Sequence, residues 1–325
     1  MGLKPRRRIG EGPPIRAGGR DPRVPEIRAR LAADVGGLTG GGDIYDPELA
    51  RAVRSFQAAR GIAADGIVGP ETLEQLNRGP RQRARQLAVN LERRRWLVRR
   101  PPPTRIDVNV AAARLTYVLE DAEIWNTRVV AGSPGRETPQ LQEVFSQLVV
   151  NPPWYVPASI AREEILPNGP AYLRRHDMYV REGRVIQRPG PSSALGRVKF
   201  DMQNRYAIYL HDTPAKALFE ATDRHRSHGC VRVQDAVEFA RALAEAGGAG
   251  EAFNEQLRSG ETGVIELGRA IPVRLLYHTA YRRTGGQVAM LPDPYGWDDR
   301  VARALKLPSQ VRSPGARKRP DPLSP

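Results

Sequence analysis

At Pro101-Pro102-Pro103 the hydrophobic period of the chain changes, and that change constrains what it can fold into. Before the prolines, apolar residues recur at helical spacing: Val24, Ile27 and Leu31, then Leu49, Ala50, Val53 and Phe56, then Leu73 and Leu76. After them, from Ile106, apolar residues alternate or cluster as strands do, over positions 108–110, 115–119, 124–130 and 144–150. A run of prolines is stiff and extended. It therefore separates two regimes, a small three-helix bundle upstream and a mixed, mostly-β domain downstream, and the fold class is α+β.

Local signals sharpen both halves. Asp46 stands where an N-cap should, and Gly61 where a helix should end. Asp65-Gly66 and Gly69-Pro70 mark a tight turn, after which Pro70 and Thr72 open a third helix. Positions 34–42 read as a Gly-rich loop. Positions 79–100 read as a charged helical connector, docked by Leu87, Leu91 and Trp96, with Arg93-Arg94-Arg95 and Arg99-Arg100 as a solvated face. Downstream, Glu120-Asp121 fits a hairpin turn and positions 198–202 and 206–211 fit strands. Asp235 fits a cap for a helix bearing Ala236, Val237, Ala240 and Leu243, and 273–278 fits a final strand. The Pro-punctuated stretch between carries helical pieces at 160–165 and 171–175. The expected organisation is a disordered basic segment 1–19, a three-helix module 20–78, a connector 79–103, a β-rich domain 104–282 with an insertion at about 157–195, and an extension 283–325 whose end is disordered.

Charge narrows the partners. The formal net charge is +15 and Lys occurs only at positions 4, 199, 216, 306 and 318, so Arg carries the excess. A strongly basic chain suits an anionic partner. No nucleic-acid-binding motif accompanies the charge and aromatics are 6% of residues, which argues against nucleic acid. No apolar run is long enough to span a membrane. Positions 1–20 are basic without the apolar region of a secretory signal.

Cys230 is the only cysteine in 325 residues. It follows Ser227-His228-Gly229, and His211 lies upstream at the end of an apolar run. A lone thiol has no internal disulfide partner, which leaves packing or nucleophilic chemistry. Cys with His is the minimal apparatus for thiolate attack on a carbonyl. Gly229 permits backbone angles that turn the N–H groups of Gly229 and Cys230 toward an oxyanion. Ser227 is placed to brace the loop. Two bland alternatives compete: Cys230 as an inert buried hydrophobe, and Arg232 as half of a structural salt bridge. A zinc site built from His225, His228, Cys230 and His211 is a third, although this spacing fits no standard zinc pattern and no metal is assigned. His225 then reads as an exposed loop residue.

His211-Asp212-Thr213 with Ser227-His228-Gly229-Cys230-Val231-Arg232 resembles the signature of the L,D-transpeptidases with a YkuD-type catalytic domain. Asn151 to Pro157, Ile165-Leu166-Pro167, Ala194 to Phe200 and Asn204 to Leu210 are similar to the large, YcbB-like branch, over roughly Pro103 to the end. Upstream, Val53-x-x-Phe56-Gln57, Gly61-Ile62 and Asp65-Gly66-x-x-Gly69-x-x-Thr72 resemble the peptidoglycan-binding type 1 module.

The resemblance implies a function and roles. Cys230 would be the nucleophile and His211 its base, oriented through the backbone carbonyl of Asp212. His228 would support the active site, and the insertion would be a helical cap over it. Arg232, Asp212, Tyr209, Trp154 and Tyr155 are candidate substrate contacts. The substrate would be peptidoglycan: attack on position three of a tetrapeptide stem, loss of terminal D-Ala, and transfer to a second stem as a 3→3 cross-link. L,D-carboxypeptidase activity, D-amino-acid exchange, a non-catalytic wall-binding protein and an ordinary cysteine protease are the alternatives. No cofactor is implied. Periplasmic or cell-wall work is implied, with cell-wall synthesis proteins as candidate partners, and the missing signal then asks for a reassigned start, a truncated chain or an unusual export route.

Overall fold

A computed structural model describes residues 8–35, 38, 41–282, 286 and 288–308. They fall into two compact units, one of residues up to 99 with those from 277 onward, the other of 100–276.

The first unit begins with four helices, α1 (Val24–Val35), α2 (Pro47–Arg60), α3 (Pro70–Asn77) and α4 (Pro80–Arg95). Asp46 accepts the Leu49 N–H through its side chain, and Gly61 ends α2 in the left-handed region at φ 68°. Val24, Ile27, Leu31, Leu49, Val53, Phe56, Leu73 and Leu76 form the core, as their spacing predicts. Ile9 and Ile15 belong to that core too. The expectation of disorder over 1–19 therefore fails for the described part: Ile15 bridges Val68, and Asn77 bonds both the N–H and the carbonyl of Ile9. Residues 1–7 and the tail from 309 lie outside the described residues.

The second unit is a mixed sheet. Its strands are β1 (Arg105–Asn109), β2 (Arg114–Leu119), β3 (Ala122–Gly132), β4 (Leu141–Val150), β8 (Val198–Phe200), β9 (Leu210–His211), β10 (His225–Ser227), β11 (Val231–Val233) and β12 (Gly263–Leu276). They run β10-β3-β11-β9-β8-β4-β12-β1-β2, and β2 also pairs with β3, closing the sheet on itself. β1 with β12, β9 with β11, and β10 with β3 are parallel. Glu120 and Asp121 turn the β2–β3 hairpin with φ 50° and 63°, the left-handed pair that such a turn requires. Two helices, α7 (Ala236–Ala246) and α8 (Gly250–Ser259), follow β11. Phe239 of α7 packs its ring against Tyr117, Trp125 and Phe200. Asp235 precedes α7 but makes no side-chain cap, because its backbone is left-handed at φ 54°.

Between β4 and β8 lies the insertion. β5 (Trp154–Tyr155), β7 (Arg184–Gln187) and β6 (Met178–Arg181) form their own small sheet. The short turn α5 (Ala158–Ile160) runs into a π-helical segment, Ala161–Ile165, and α6 (Gly169–Arg175) follows. Val156, Ala161, Ile165 and Val185 make a separate hydrophobic cluster under it.

The strand expected to end the fold is longer than its sequence signal, and the chain then returns to the first unit. There β13 (Ala280–Arg282), β14 (Val288–Met290) and α9 (Trp297–Ala304) complete the packing. This return buries a different face of α4 than the apolar positions suggest, although Arg94, Arg95, Arg99 and Arg100 are exposed as expected. Leu87, Leu91 and Trp96 are exposed, whereas Arg85, Gln86, Val89, Asn90 and Arg93 are buried. The cause is the supply of polar partners. Gln86 donates to the carbonyls of Thr279 and Leu291, Asn90 donates to Thr279, and Arg93, 1% exposed, pairs with Asp298 at 2.5 Å.

Candidate active site

Three short strands build the site. Lys199 of β8 stands opposite His211 of β9, and His211 stands opposite Arg232 of β11. Side chains alternate along a strand. Val198, Phe200, Leu210, Val231 and Val233 therefore fill the core, fully buried, and Lys199, His211 and Arg232 share the other face. Tyr209 joins them: its ring centre lies 5.5 Å from that of His211 and 4.5 Å from Lys199 Nζ. Lys199 is also paired with Asp201 at 2.8 Å. Cys230 immediately precedes β11, and the Val231 N–H donates to the Tyr209 carbonyl at 3.1 Å.

The segment before His211 departs from the expected strand. Only Leu210–His211 is extended, because the Asn204 side chain organises the preceding turn. Its amide donates to the carbonyls of Met202 and Ile208, and its oxygen accepts the N–H groups of Tyr206 and Ile208. That turn, with Ala207 at φ 52°, brings the Ala207 carbonyl to 3.8 Å from Cys230 Sγ.

His211 is 5% exposed, and its Nδ1 lies 2.5 Å from the Asp212 carbonyl oxygen. A carbonyl only accepts, so Nδ1 carries the proton and Nε2 keeps a lone pair. Burial, then the charge of Arg232, push the ring down to about 3, outweighing the opposing bond to Asp212. It is neutral at neutral pH. Burial raises the Cys230 thiol, while hydrogen bonds from the Tyr209 backbone and hydroxyl and the charges of Lys199 and Arg232 pull the other way. Burial also lowers the proton affinity of Arg232. Among the described residues no carboxylate pairs with Arg232, so the salt-bridge reading has no partner to support it.

The loop that carries Cys230 is clamped. Ser227 Oγ donates to the Cys230 carbonyl at 2.5 Å and accepts the Gly229 N–H at 3.1 Å. Gly229 has φ 118°, and an added Cβ would stand 3.2 Å from Ile208 Cδ1, so glycine is needed there. Thr138 Oγ1 donates to the Gly229 carbonyl at 2.7 Å. The expectation of two free oxyanion donors is corrected: the Gly229 N–H is committed to Ser227, and the Cys230 N–H is the one left without an acceptor among the described residues.

Other expected residues sort differently. Asp212 does not face a substrate: it is buried, its carboxylate accepts the Arg197 N–H at 2.9 Å and pairs with Lys216, and an added Cβ on Gly196 would collide with it. Tyr155 is 64% exposed, while Trp154 is half-buried on the insertion's cluster and lies within hydrogen-bonding reach of Tyr209. His225 is not an exposed loop residue. Its Nε2 bonds the Val110 carbonyl at 2.9 Å and its Nδ1 faces Asp223 at 3.0 Å, so it does not join His211 and Cys230 as a ligand. His228 turns to Glu164, with Nε2 at 2.6 Å from the carboxylate. Glu164, Arg136, Thr138 and the role of Lys199 had no signal in the sequence, since each acts across a long sequence separation.

The chain is similar to known proteins over both of its parts. Residues 103–265 match the family model YkuD, "L,D-transpeptidase catalytic domain", and residues 20–76 match "Putative peptidoglycan binding domain". A Haemophilus influenzae protein named "Putative L,D-transpeptidase" is 34% identical over 220 residues, 60% of this chain. The chain covers 45% of that relative's length. An L,D-transpeptidase structure from Stackebrandtia nassauensis is 14% identical with TM-score 0.32, covering 81% of this chain and 94% of that one. One from Mycobacterium smegmatis is 12% identical with TM-score 0.28, covering 53% and 58%.

Proposed function

This chain belongs to the L,D-transpeptidase catalytic-domain family and carries an N-terminal peptidoglycan-binding domain, and from that premise we propose that it joins peptidoglycan stem peptides through a thioester on Cys230. His211 Nε2 takes the thiol proton as Sγ attacks the carbonyl at the L-centre of diaminopimelate in position three of a tetrapeptide stem. The oxyanion is received by the Cys230 N–H. The intermediate collapses, the C–N bond to the terminal D-Ala breaks, and the proton on His211 passes to the departing amine. The side-chain amine of a second stem then attacks the thioester, the thiol is regenerated, and a 3→3 cross-link results. Arg232 binds a carboxylate of the stem. Lys199 and Arg232 supply positive charge beside the sulfur.

The observation that supports this reading is a neutral imidazole, its tautomer pinned by the Asp212 carbonyl, on the strand beside β11, which Cys230 immediately precedes. It favours a general base acting on a thiol over a preformed thiolate–imidazolium pair. Water in place of the amine would make the same site an L,D-carboxypeptidase, and a free D-amino acid would give exchange. A carbapenem would acylate the same sulfur. Work in the periplasm or the cell wall, with an effect on cell shape, follows from the substrate. The chain has no helix long and apolar enough to cross a membrane among the described residues.

The test is incubation with a disaccharide-tetrapeptide and mass analysis of the products. A dimer lacking one D-Ala and linked 3→3 supports transpeptidation, and tripeptide alone supports the carboxypeptidase. Cys230→Ala should abolish both while retaining binding to insoluble peptidoglycan; cross-linking by that variant would sink the assignment.

A further inference from the structure

Three parts of the second unit meet beside the nucleophile loop. Arg136 comes from the β3–β4 connection, Glu164 from the π-helical segment of the insertion, and His228 from the residue pair before Cys230. One oxygen, Glu164 Oε1, receives both His228 Nε2 at 2.6 Å and Arg136 Nη1 at 2.8 Å. Arg136 Nη2 lies 3.8 Å from Glu163.

Two of these parts already form one body. The Ser133 N–H donates to the Ser227 carbonyl at 2.9 Å, and Thr138 Oγ1 donates to the Gly229 carbonyl at 2.7 Å. Gly132 permits the close approach that this needs, since an added Cβ would stand 2.1 Å from the Arg136 carbonyl oxygen. Arg136 is therefore carried on the same frame as the nucleophile loop. The insertion is folded around its own cluster, in which Ala161 and Ile165 are buried on either side of Glu164 along the π-helical segment. π-Helical segments recur at functional sites. Glu164 is thus a double acceptor through which the insertion grips the loop that bears the nucleophile.

The geometry points to Glu164 as a positioning residue: its carboxylate, steadied by Arg136, orients the His228 ring and docks the insertion on the nucleophile loop for substrate binding. A carboxylate accepts and does not donate, so His228 Nε2 carries the proton in this arrangement. Burial would raise Glu164, but the bonds and charges of His228 and Arg136 outweigh it and hold the carboxyl below its ordinary value, which keeps the acceptor ionised. The inference rests on the transpeptidase reading only for the identity of the substrate.

Nitrogen-15 ring spectra of the five histidines, with His228 assigned by His228→Gln, test the contact directly. The native chain should show a protonated Nε2 at His228 in slow exchange, and Glu164→Ala should lose that signature. In parallel, Glu164→Gln should lower kcat/KM on the disaccharide-tetrapeptide roughly tenfold, because a charge-assisted bond is lost. Alkylation of Cys230 by iodoacetamide, which needs no grip on a stem peptide, should stay within about twofold. Glu164→Asp should recover part of the loss, and Glu182→Gln, the same charge change at the tip of the β6–β7 hairpin, should cause none. An unchanged His228 ring in Glu164→Ala overturns the proposal, as does alkylation that falls in step with turnover. If the native chain leaves the tetrapeptide untouched, the transpeptidase reading fails, and the ring spectra still decide this one.

Discussion

His211 and Arg232 stand directly opposite each other on the parallel strands β9 and β11. A permanent cation therefore faces a buried imidazole, and both burial and that charge oppose protonation of the ring. The prediction is that His211 stays neutral while the pH is lowered through the ordinary histidine range. The sign for stability follows. The unfolded ring takes up a proton as pH falls through about 6.5 and the folded ring does so only near 3, so the unfolded chain binds more protons in that window. This site loses stability as pH falls from about 6.5 toward 3 and is indifferent above it. Nuclear magnetic resonance of the ring should show no titration down to pH ~5, and Arg232→Met should move the midpoint upward. A native midpoint near 6.5 would refute the assignment.

The thiol should be a weak nucleophile at neutral pH when no substrate is bound, because burial raises it. The Tyr209 hydroxyl favours the thiolate, so Tyr209→Phe should raise the thiol further and slow alkylation at pH ~7.5 several-fold. The rate of iodoacetamide labelling against pH checks this, and the single cysteine makes the signal unambiguous. A midpoint that falls in Tyr209→Phe would be the contrary result.

Ser227→Ala removes both bonds of the clamp on the Cys230 loop, the donor to Cys230 and the acceptor of Gly229. It should cost about 1–3 kcal/mol of stability, and turnover should fall about tenfold or more as the oxyanion donor loses its alignment. Urea denaturation and tetrapeptide turnover measure the two effects. Stability and rate both at the native level would show that the clamp is dispensable.

In the first unit, Asp298 accepts from Arg93 at 2.5 Å and from Thr279 at 2.8 Å. Asp298→Ala strands a buried guanidinium and should destabilise by about 3–5 kcal/mol. Removing both charges, as Arg93→Met with Asp298→Leu, should recover much of that. Thermal unfolding of the single and double variants gives the comparison, and a double variant as unstable as Asp298→Ala would contradict it.

Much of this is legible in the sequence, and the reason is range. The Asp46 cap, the Gly61 terminator, the Glu120-Asp121 turn and the change of period at Pro101-Pro102-Pro103 each act over a few residues. The same holds for Ser227-His228-Gly229-Cys230, whose residue types announce thiol chemistry. Where the sequence misleads, the partner is either remote or chosen by how the chain folds back locally. Arg93 looked solvated because Asp298 is far along the chain. Gly229 looked like a free donor because nothing in its neighbours says that the Ser227 hydroxyl turns back onto it. Asp212 looked available because Lys216 and the Arg197 N–H could not be seen to claim it.

By itself, then, the sequence determined the two folding regimes and singled out a candidate nucleophile and base, since these follow from local dihedral preferences, hydrophobic period and side-chain chemistry. Tertiary structure alone decided which face of α4 is buried, which N–H of the Cys230 loop is already bonded, and what holds His228. Those outcomes depend on which donors and acceptors the closed sheet, the returning segment and the turn at Gly229 bring within about 3 Å, and a hydrogen bond has no sequence signature until the chain has closed.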